Sequence, residues 1–283
     1  LHGSFSIKDI GILQYFLGFE ISCSPFGLFL NKRKYCLNLL SDSGLLACKP
    51  ATSPMEPSCH LFDEEGSLIS NPGEYRRLIN CMLYLTHTRP DISFAIHKLS
   101  QFVSALREHH MTAAHRVLKY LKGCPGLGLF FQSDNQLFIK AFSNSDWGTC
   151  INSITSATDY YVFMGNSLIS WKSKKQSIVS QSSKVEYRAL ALLVCELQWL
   201  QYLCNDLYTR ISTPFVTYCD NKSIYITKNL TFYKRTKHIK IDYHFVRTKL
   251  QEGLIHFLPV PSFGQVTDIL TKPLYPRFFH ECS

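Results

Sequence analysis

Apolar and polar positions at the start of the chain predict a β-hairpin followed by a helix. Residues 15–21 form an apolar run typical of a strand, residues 25–27 hold the proline and glycine of a turn, and residues 28–30 form the return strand. Helical spacing begins near residue 35 and should end at Gly44, because glycine readily adopts the conformation that closes a helix.

The pattern after this hairpin stays helical up to about residue 125. Prolines and a glycine between residues 47 and 73 predict a long surface connection. Apolar positions at helical spacing then predict three helices, over about residues 75–86, 91–99 and 111–121.

Strands and helices alternate in the rest of the chain. Short runs with strand character lie at residues 127–131, 137–142, 160–164, 168–171, 215–219 and 254–260. A long amphipathic helix is predicted over residues 183–207, with two more helices before residue 250 and one at the end. This α/β pattern predicts a domain boundary near residue 125, with a first domain of residues 1–125 and a second of residues 126–283.

Composition favours a reduced, intracellular protein with a polyanionic partner. Thirty Lys and Arg against twenty-one Asp and Glu give a formal charge of +9, which favours nucleic acid over a membrane. Eleven cysteines stand singly without a Cys-x-x-Cys pair, which is typical of reduced thiols in the cytoplasm or nucleus. Neither a signal peptide nor a membrane span is expected, and the first residues look internal to a longer protein.

Four carboxylates are expected at the ends of elements in the second half. Asp146 and Asp220 end strands, whereas Glu186 and Asp268 open helices, so their side chains can meet at one edge of a sheet. Clustered carboxylates bind hard ions such as Mg²⁺ or Mn²⁺, and two ions about 4 Å apart form a clamp for phosphodiester hydrolysis.

Each of these residues also has a structural alternative. Ser183 and Glu186 fit a capping box, in which the carboxylate only closes the start of the helix. Asp220 fits a turn, and Asp268 fits a charge that complements a helix dipole. Local pattern alone does not choose between these alternatives.

Longer blocks resemble the Pol polyproteins of copia-type LTR retrotransposons, in order and at the family's spacing over nearly the whole chain. Two examples are Thr-Arg-Pro-Asp-Ile-Ser-Phe-Ala at residues 88–95 and Thr-Asp-Ile-Leu-Thr-Lys-Pro-Leu at residues 267–274. Further blocks lie at residues 8–11, 15–18, 75–76, 83–86, 116–123, 170–176, 186–190, 219–221 and 236–239.

The resemblance implies an α/β protein with an RNase H-like mixed five-stranded sheet and flanking helices. A mainly helical remnant of the reverse-transcriptase thumb or connection, with an N-terminal hairpin, would precede it. The implied activity is cleavage of the RNA strand of an RNA–DNA hybrid by four carboxylates and two ions, Mg²⁺ or Mn²⁺. Glu186, Asp220 and Asp268 match three of these carboxylates and are the implied metal ligands.

The fourth position is degenerate in this chain. The family's Ser-Asp-x-Asp-Trp block reads Ser-Asn-Ser-Asp-Trp at residues 143–147, so Asn144 stands where the resemblance implies a catalytic aspartate. An amide oxygen can coordinate an ion but carries no charge, and Asp146 is the candidate substitute because it lies two residues along the same strand.

Two further departures lie close to these positions. An Arg-Lys-Ser-Thr-Ser-Gly turn in the family reads Ile-Thr-Ser-Ala-Thr-Asp at residues 154–159, so a basic pair and a turn glycine are missing. The segment before Glu186 is one residue shorter than the family pattern. The polymerase aspartates would lie upstream of Leu1, so this chain is not expected to polymerise.

Basic and aromatic residues provide a predicted nucleic-acid surface. The predicted contacts are Trp171, Lys172, Lys174, Lys175, Arg235, Lys237, His238 and Lys240. The alternative is a solvated helix face. The group His109, His110 and His115 could suggest a metal site, but no Cys and no second ligand pair is near them in the sequence.

Three functional hypotheses follow from the sequence. The first is a metal-dependent ribonuclease whose activity is weak or lost because of Asn144. The second is a catalytically dead module that binds hybrid or another nucleic acid, and the third is a non-functional relic of a transposon.

Overall fold

The computed structural model contains two β-sheets with helices packed between and around them. It describes residues 11–57, 61, 66–67, 69, 71–104, 106–134, 136–146, 157–175, 182–219, 237–261, 265–274 and 279.

The first sheet is antiparallel, with the strand order β1-β2-β3-β4. Its strands are β1 (Tyr15–Phe16), β2 (Phe19–Ser24), β3 (Gly27–Asn31) and β4 (Leu129–Gln132). The prediction of one strand over residues 15–21 was therefore wrong. Leu17 and Gly18 both have positive φ angles, 47° and 76°, and these reverse the chain in a two-residue turn. A Cβ atom at Gly18 would also collide with the Tyr84 hydroxyl.

Among the described residues of the first part of the chain, four α-helices pack against one another. They are α1 (Arg33–Asp42), α2 (Pro72–Leu85), α3 (Ser93–Ser100) and α4 (Glu108–Gly123), with a short 3-10 turn at Pro90–Ile92 before α3. The predicted helices are confirmed within a few residues. Gly44 follows α1 with φ of 67°, and Asn71 caps α2 by accepting a hydrogen bond from the Gly73 amide at 3.1 Å.

A buried ion pair joins the turn before α3 to the end of α4. Arg89 and Asp91 have side chains only 3% and 4% exposed, and Arg89 Nη2 donates to Asp91 Oδ2 at 2.7 Å. Tyr120 donates to the same oxygen at 2.7 Å, and Arg89 Nη1 donates to the Cys124 carbonyl at 2.8 Å. These contacts give the Thr-Arg-Pro-Asp block of residues 88–91 a structural role.

A second buried cation connects the hairpin to α2. Lys32 is 2% exposed, and its ammonium donates to the Tyr84 carbonyl at 2.7 Å. The same ammonium lies 3.3 Å from the centre of the Tyr84 ring and 4.4 Å from that of Phe19. Burial lowers the pKa of Lys32 to about 8, because the charged form loses hydration.

The second sheet has the strand order β7-β6-β5-β8-β9. Its strands are β5 (Phe138–Asp146), β6 (Ala157–Met164), β7 (Ser167–Lys175), β8 (Ser212–Cys219) and β9 (Ile255–Pro259). The pairs β7/β6 and β6/β5 are antiparallel, whereas β5/β8 and β8/β9 are parallel. This is the predicted RNase H-like mixed sheet of five strands.

Helices cover both faces of this sheet. On one face, α5 (Ser182–Asp206) and α6 (Lys237–Gln251) share a core with Ala141, Val162 and Leu190. On the other face lies the short helix α7 (Asp268–Thr271), where Leu270 and Tyr161 join the core built by α1 to α4. Both halves of the chain thus contribute to one apolar core.

The domain boundary near residue 125 stays a prediction. Strand β4 lies beyond it in sequence but pairs with β3 of the hairpin sheet. The helix expected between β8 and α6 falls outside the described residues. Among the described helices, none combines the length and apolar character that crossing a membrane requires.

Candidate active site

The site is built on one row of residues that crosses three strands. Asn144 of β5 lies directly opposite Asp159 of β6, which in turn lies opposite Ser173 of β7. Directly opposed residues of antiparallel strands point to the same face, so these three side chains share the α7 face of the sheet. Asn144 and Asp159 are buried, at 8% and 1% exposure.

Helix α7 lies across this row. Asn144 Nδ2 donates to Asp268 Oδ1 at 2.9 Å, and the Ser173 hydroxyl donates to the Leu270 carbonyl at 3.1 Å. The contact between Asn144 and Asp268 joins residues 124 positions apart in the sequence. It brings together two of the four positions that the resemblance implies for the metal site.

The segment before α7 is fixed to β5, and this positions Asp268. Gln265 Nε2 donates to the Ser143 carbonyl at 3.1 Å, and the Asp268 amide donates to the Gln265 carbonyl at 3.1 Å. Thr267 is fully buried, and Ile269 and Leu270 anchor the helix in the core. Asp268 is the first residue of α7, so the prediction that it opens a helix is confirmed.

Both oxygens of Asp268 contact hydrogen-bond donors. Oδ1 accepts from the Asn144 amide, and Oδ2 lies 2.8 Å from the Lys272 ammonium. The lysine is half exposed, so solvent weakens this pair and leaves the carboxylate able to exchange partners. The side chain of Asp268 is itself 20% exposed, so this carboxylate is partly in contact with solvent.

Glu186 lies in the second turn of α5 and is half-buried. Its neighbours Val185 and Tyr187 are buried, and the Tyr187 ring packs edge-on against Tyr243 of α6 with centres 5.7 Å apart. Because α5 already begins at Ser182, Ser183 falls within the first turn of the helix. This position does not favour the capping-box alternative for Glu186.

Two other candidates are only partly described. Strand β5 ends at Asp146 as predicted, but the side chain of this residue lies outside the described part of the structure. Asp220 follows the last residue of β8 and also lies outside it. Convergence of Glu186 and Asp220 on the pair Asn144–Asp268 stays a prediction.

Only some of the predicted nucleic-acid residues have described side chains. Trp171 and Lys172 line a cavity of about 540 Å³ beside α3, together with His87 and His97. Burial lowers the pKa of His97, which favours its neutral form. The structure places Lys174 and Lys175 at the end of β7, and Lys237, His238 and Lys240 in the first turn of α6. The side chains of these five residues, and the whole of Arg235, lie outside the described part of the structure.

The histidines of α4 have structural contacts. His110 Nδ1 accepts a hydrogen bond from the Arg107 amide at 3.2 Å, and its ring stacks on Phe102 with centres 4.1 Å apart. Over the described residues, no three His, Cys, Asp or Glu side chains form a group able to hold a metal ion.

The donor chemistry near Asn144 nevertheless suits a hard divalent ion. Carboxylate oxygens of Asp268 and Asp159 and the amide oxygen of Asn144 are ligands that Mg²⁺ and Mn²⁺ accept. Asn144 presents its NH₂ group to Asp268 here, and rotation of the amide by half a turn would present its oxygen instead. The oxygen donors of Asn144 and Asp268, with Asp159 on the same face of the sheet, therefore suit such an ion.

Sequence reasoning missed Asp159. It lies in the segment where a family glycine is absent, but nothing local marks it as functional. Only the pairing register, which sets Asp159 opposite Asn144, connects it with the site.

Comparison with known proteins identifies the family. The chain is 42% identical over 272 residues to the retrovirus-related Pol polyprotein from transposon RE1 of Arabidopsis thaliana, covering 95% of this chain and 19% of that protein. Its identity to the corresponding polyprotein from transposon RE2 of the same plant is 40% over 281 residues, covering 99% of this chain and 19% of that protein. The chain belongs to the Pol polyproteins of copia-type retrotransposons.

Other comparisons complete this result. The chain spans about a fifth of the length of these Pol polyproteins. A solved foamy viral protease–reverse transcriptase in complex with an RNA/DNA hybrid is similar over 87% of this chain and 29% of that chain, with 13% identity and a TM-score of 0.47. No protein-family model matches the chain. As a Pol segment, the chain carries the family block of residues 267–274 on α7 of the candidate site.

Proposed function

We propose that this Pol segment is an RNase H that hydrolyses the RNA strand of an RNA–DNA hybrid, with activity that is weak or lost because Asn144 replaces a catalytic aspartate. The observation that carries the proposal is the 2.9 Å contact between Asn144 and Asp268. It joins the first and last positions of the implied carboxylate set, at the carboxyl end of β5 in a mixed sheet of five strands. An intracellular site of action, in the cytoplasm or nucleus, belongs to this proposal.

Two Mg²⁺ or Mn²⁺ ions would be held by Glu186, Asp220 and Asp268, with position 144 as the weakened ligand. Bound there, such ions supply an activated water and stabilise the departing oxygen of the phosphodiester. Asp268, held against β5 by the segment 265–268, keeps a carboxylate fixed at this edge. Asn144 contributes an oxygen without charge, so position 144 itself does not help to balance the charge of the ions.

The basic residues of β7 and α6 are proposed to hold the phosphate backbone of the hybrid. Lys172 is exposed beside the cavity that Trp171 lines, so its ammonium can reach a bound strand. Lysine contacts with phosphate carry no sequence preference, which suits an enzyme that cuts hybrids in general.

A cleavage assay on an end-labelled hybrid tests this function. The parent protein should cut slowly or not at all with Mg²⁺ and somewhat faster with Mn²⁺, which such ligands generally bind more tightly. Asn144→Asp should increase cleavage of the RNA strand with both ions. The added change Asp268→Asn should remove that gain, whereas Asp206→Asn, an exposed acid at the far end of α5, should leave it intact.

A catalytically dead hybrid-binding module is the second candidate function. It is favoured by the two donors on Asp268, because Asn144 and Lys272 already satisfy this carboxylate without an ion. The same assay separates the two. If Asn144→Asp is folded and binds hybrid in EDTA yet cleaves nothing with either ion, the ribonuclease proposal is wrong and the binding module stands.

A further inference from the structure

We propose that Asp159 supplies the carboxylate that Asn144 lacks, so that a divalent ion at this site is held by Asp159 and Asp268 together with the Asn144 amide oxygen. The proposal rests on the proposed function, because it concerns the ligands of the same site. It makes Asp159, and not only Asp146, the substitute for the lost acid.

The pairing register places Asp159 within reach of the degenerate position. Asn144 and Asp159 are direct partners across β5 and β6, and opposed residues of this kind have Cβ atoms about 5 Å apart on the same face. Two side chains at that spacing can share one ion, because each extends toward the space above the strands.

Helix α7 contacts both residues that flank Asp159 in the cross-strand row. Asn144 on one side contacts Asp268, and Ser173 on the other contacts the Leu270 carbonyl, so the row between them lies beneath this helix. Asp159 is 1% exposed. Its side chain therefore lies in the interior, on the face of the sheet that α7 covers.

The sequence departures support an exchange of charge within one cross-strand pair. Where the family pattern has an aspartate, this chain has Asn144; where the family turn ends in glycine, it has Asp159. One carboxylate is lost on β5 and one is gained at the directly opposed position on β6. The number of carboxylates available to an ion in this pair therefore stays the same, but the carboxylate now belongs to β6.

Thermal unfolding of the whole chain with and without MnCl₂ tests this assignment. The parent should gain thermal stability as MnCl₂ is added, up to saturation, because the ion binds the folded state. Asp159→Asn keeps the shape but removes the charge, and should weaken Mn²⁺ binding by about tenfold or more, because it removes an anionic ligand. The matched control Asp206→Asn should behave like the parent.

A double variant can move the carboxylate back from position 159 to position 144. Asn144→Asp combined with Asp159→Gly restores the family arrangement and should bind Mn²⁺ at least as tightly as the parent. Calorimetric titration of the parent with MnCl₂ gives a readout that does not depend on any variant folding. Absence of Mn²⁺ binding by the parent, or equal binding by the parent and Asp159→Asn, would overturn the proposal.

Failure of this proposal can be distinguished from failure of the proposed function. If the reverted double variant binds Mn²⁺ and cuts hybrid while Asp159→Asn matches the parent, the ribonuclease function stands and Asp159 is a structural acid. If neither the parent nor the reverted double variant binds Mn²⁺, and neither cuts hybrid, both proposals are wrong.

Discussion

Replacing Arg89 by methionine should destabilise the protein by several kcal/mol, because it leaves the Asp91 charge buried without its cation. Asp91 is 4% exposed on its side chain and receives two strong donors, Arg89 and Tyr120, each at 2.7 Å. Burial, followed by the Asp91 charge, raises the pKa of Tyr120, so its hydroxyl remains a donor at all ordinary pH values.

The magnitude follows from the burial of the pair. Removing one partner of a fully buried ion pair costs about 3–5 kcal/mol, whereas removing a hydrogen bond to a charged group costs about 1.5–3 kcal/mol. Arg89→Met should therefore lower the free energy of unfolding by about 4 kcal/mol, and Tyr120→Phe by about 2 kcal/mol. Replacing Arg89, Asp91 and Tyr120 together by apolar residues should cost less than Arg89→Met alone, since no buried charge remains.

Urea unfolding followed by far-UV circular dichroism measures these differences. Arg116→Met is a matched control, because Arg116 also pairs with an acid, Glu56, but both side chains are solvent-exposed to 30% or more. Its loss should cost at most about 1 kcal/mol. An Arg89→Met cost no larger than that of Arg116→Met would refute the account of this network.

Three other predictions concern charge and the site. Between pH 7 and 9 the free energy of unfolding of the parent should rise by about 1–2 kcal/mol relative to that of Lys32→Met. The reason is that the Lys32 pKa is about 8 in the folded state and 10.5 in the unfolded state, so the unfolded state binds more protons and the penalty on folding falls as the pH rises. A difference in free energy of unfolding, measured in urea, that does not change with pH would contradict this. Lys172→Ala should weaken hybrid binding for all sequences and reduce the magnitude of the slope of log K against log salt by about 1. Lys249→Ala should change neither, because the Lys249 ammonium is already paired with Glu252. Equal slopes for the parent and Lys172→Ala would argue against the predicted nucleic-acid surface. Reinserting one residue between Lys184 and Glu186 in the Asn144→Asp protein should further raise hybrid cleavage, and unchanged cleavage would mean that Glu186 is already well placed.

Much of the fold could be predicted because it follows from local pattern. The 3.6-residue spacing of α2, α4 and α5 and the short apolar runs of the second sheet are visible in the sequence. The turn at Leu17–Gly18 was missed because apolar residues continue through it, although Gly18 was the available signal. The pairing of β4 with β3 joins segments about a hundred residues apart, and no local pattern specifies such a pair.

In the candidate site, too, residues in recognisable motifs could be predicted, whereas a residue related to them only by strand pairing could not. Asn144 and Asp268 were found through motifs of the family, not through periodicity, and the structure places them in contact. Asp159 could not be found in this way, because its relation to Asn144 exists only in the register between β5 and β6. A cross-strand neighbour of a site residue is recognised only when the strand pairing is known.

Anomalous scattering from crystals of the Asn144→Asp protein soaked in MnCl₂ tests the central claim most directly. A retained RNase H site predicts Mn²⁺ peaks at this edge of the sheet, bound by position 144 and Asp268, with Glu186 and Asp220 on the same ions. The site would be contradicted by crystals without a peak beside Asp268, or by Glu186 or Asp220 directed to the opposite side of the sheet.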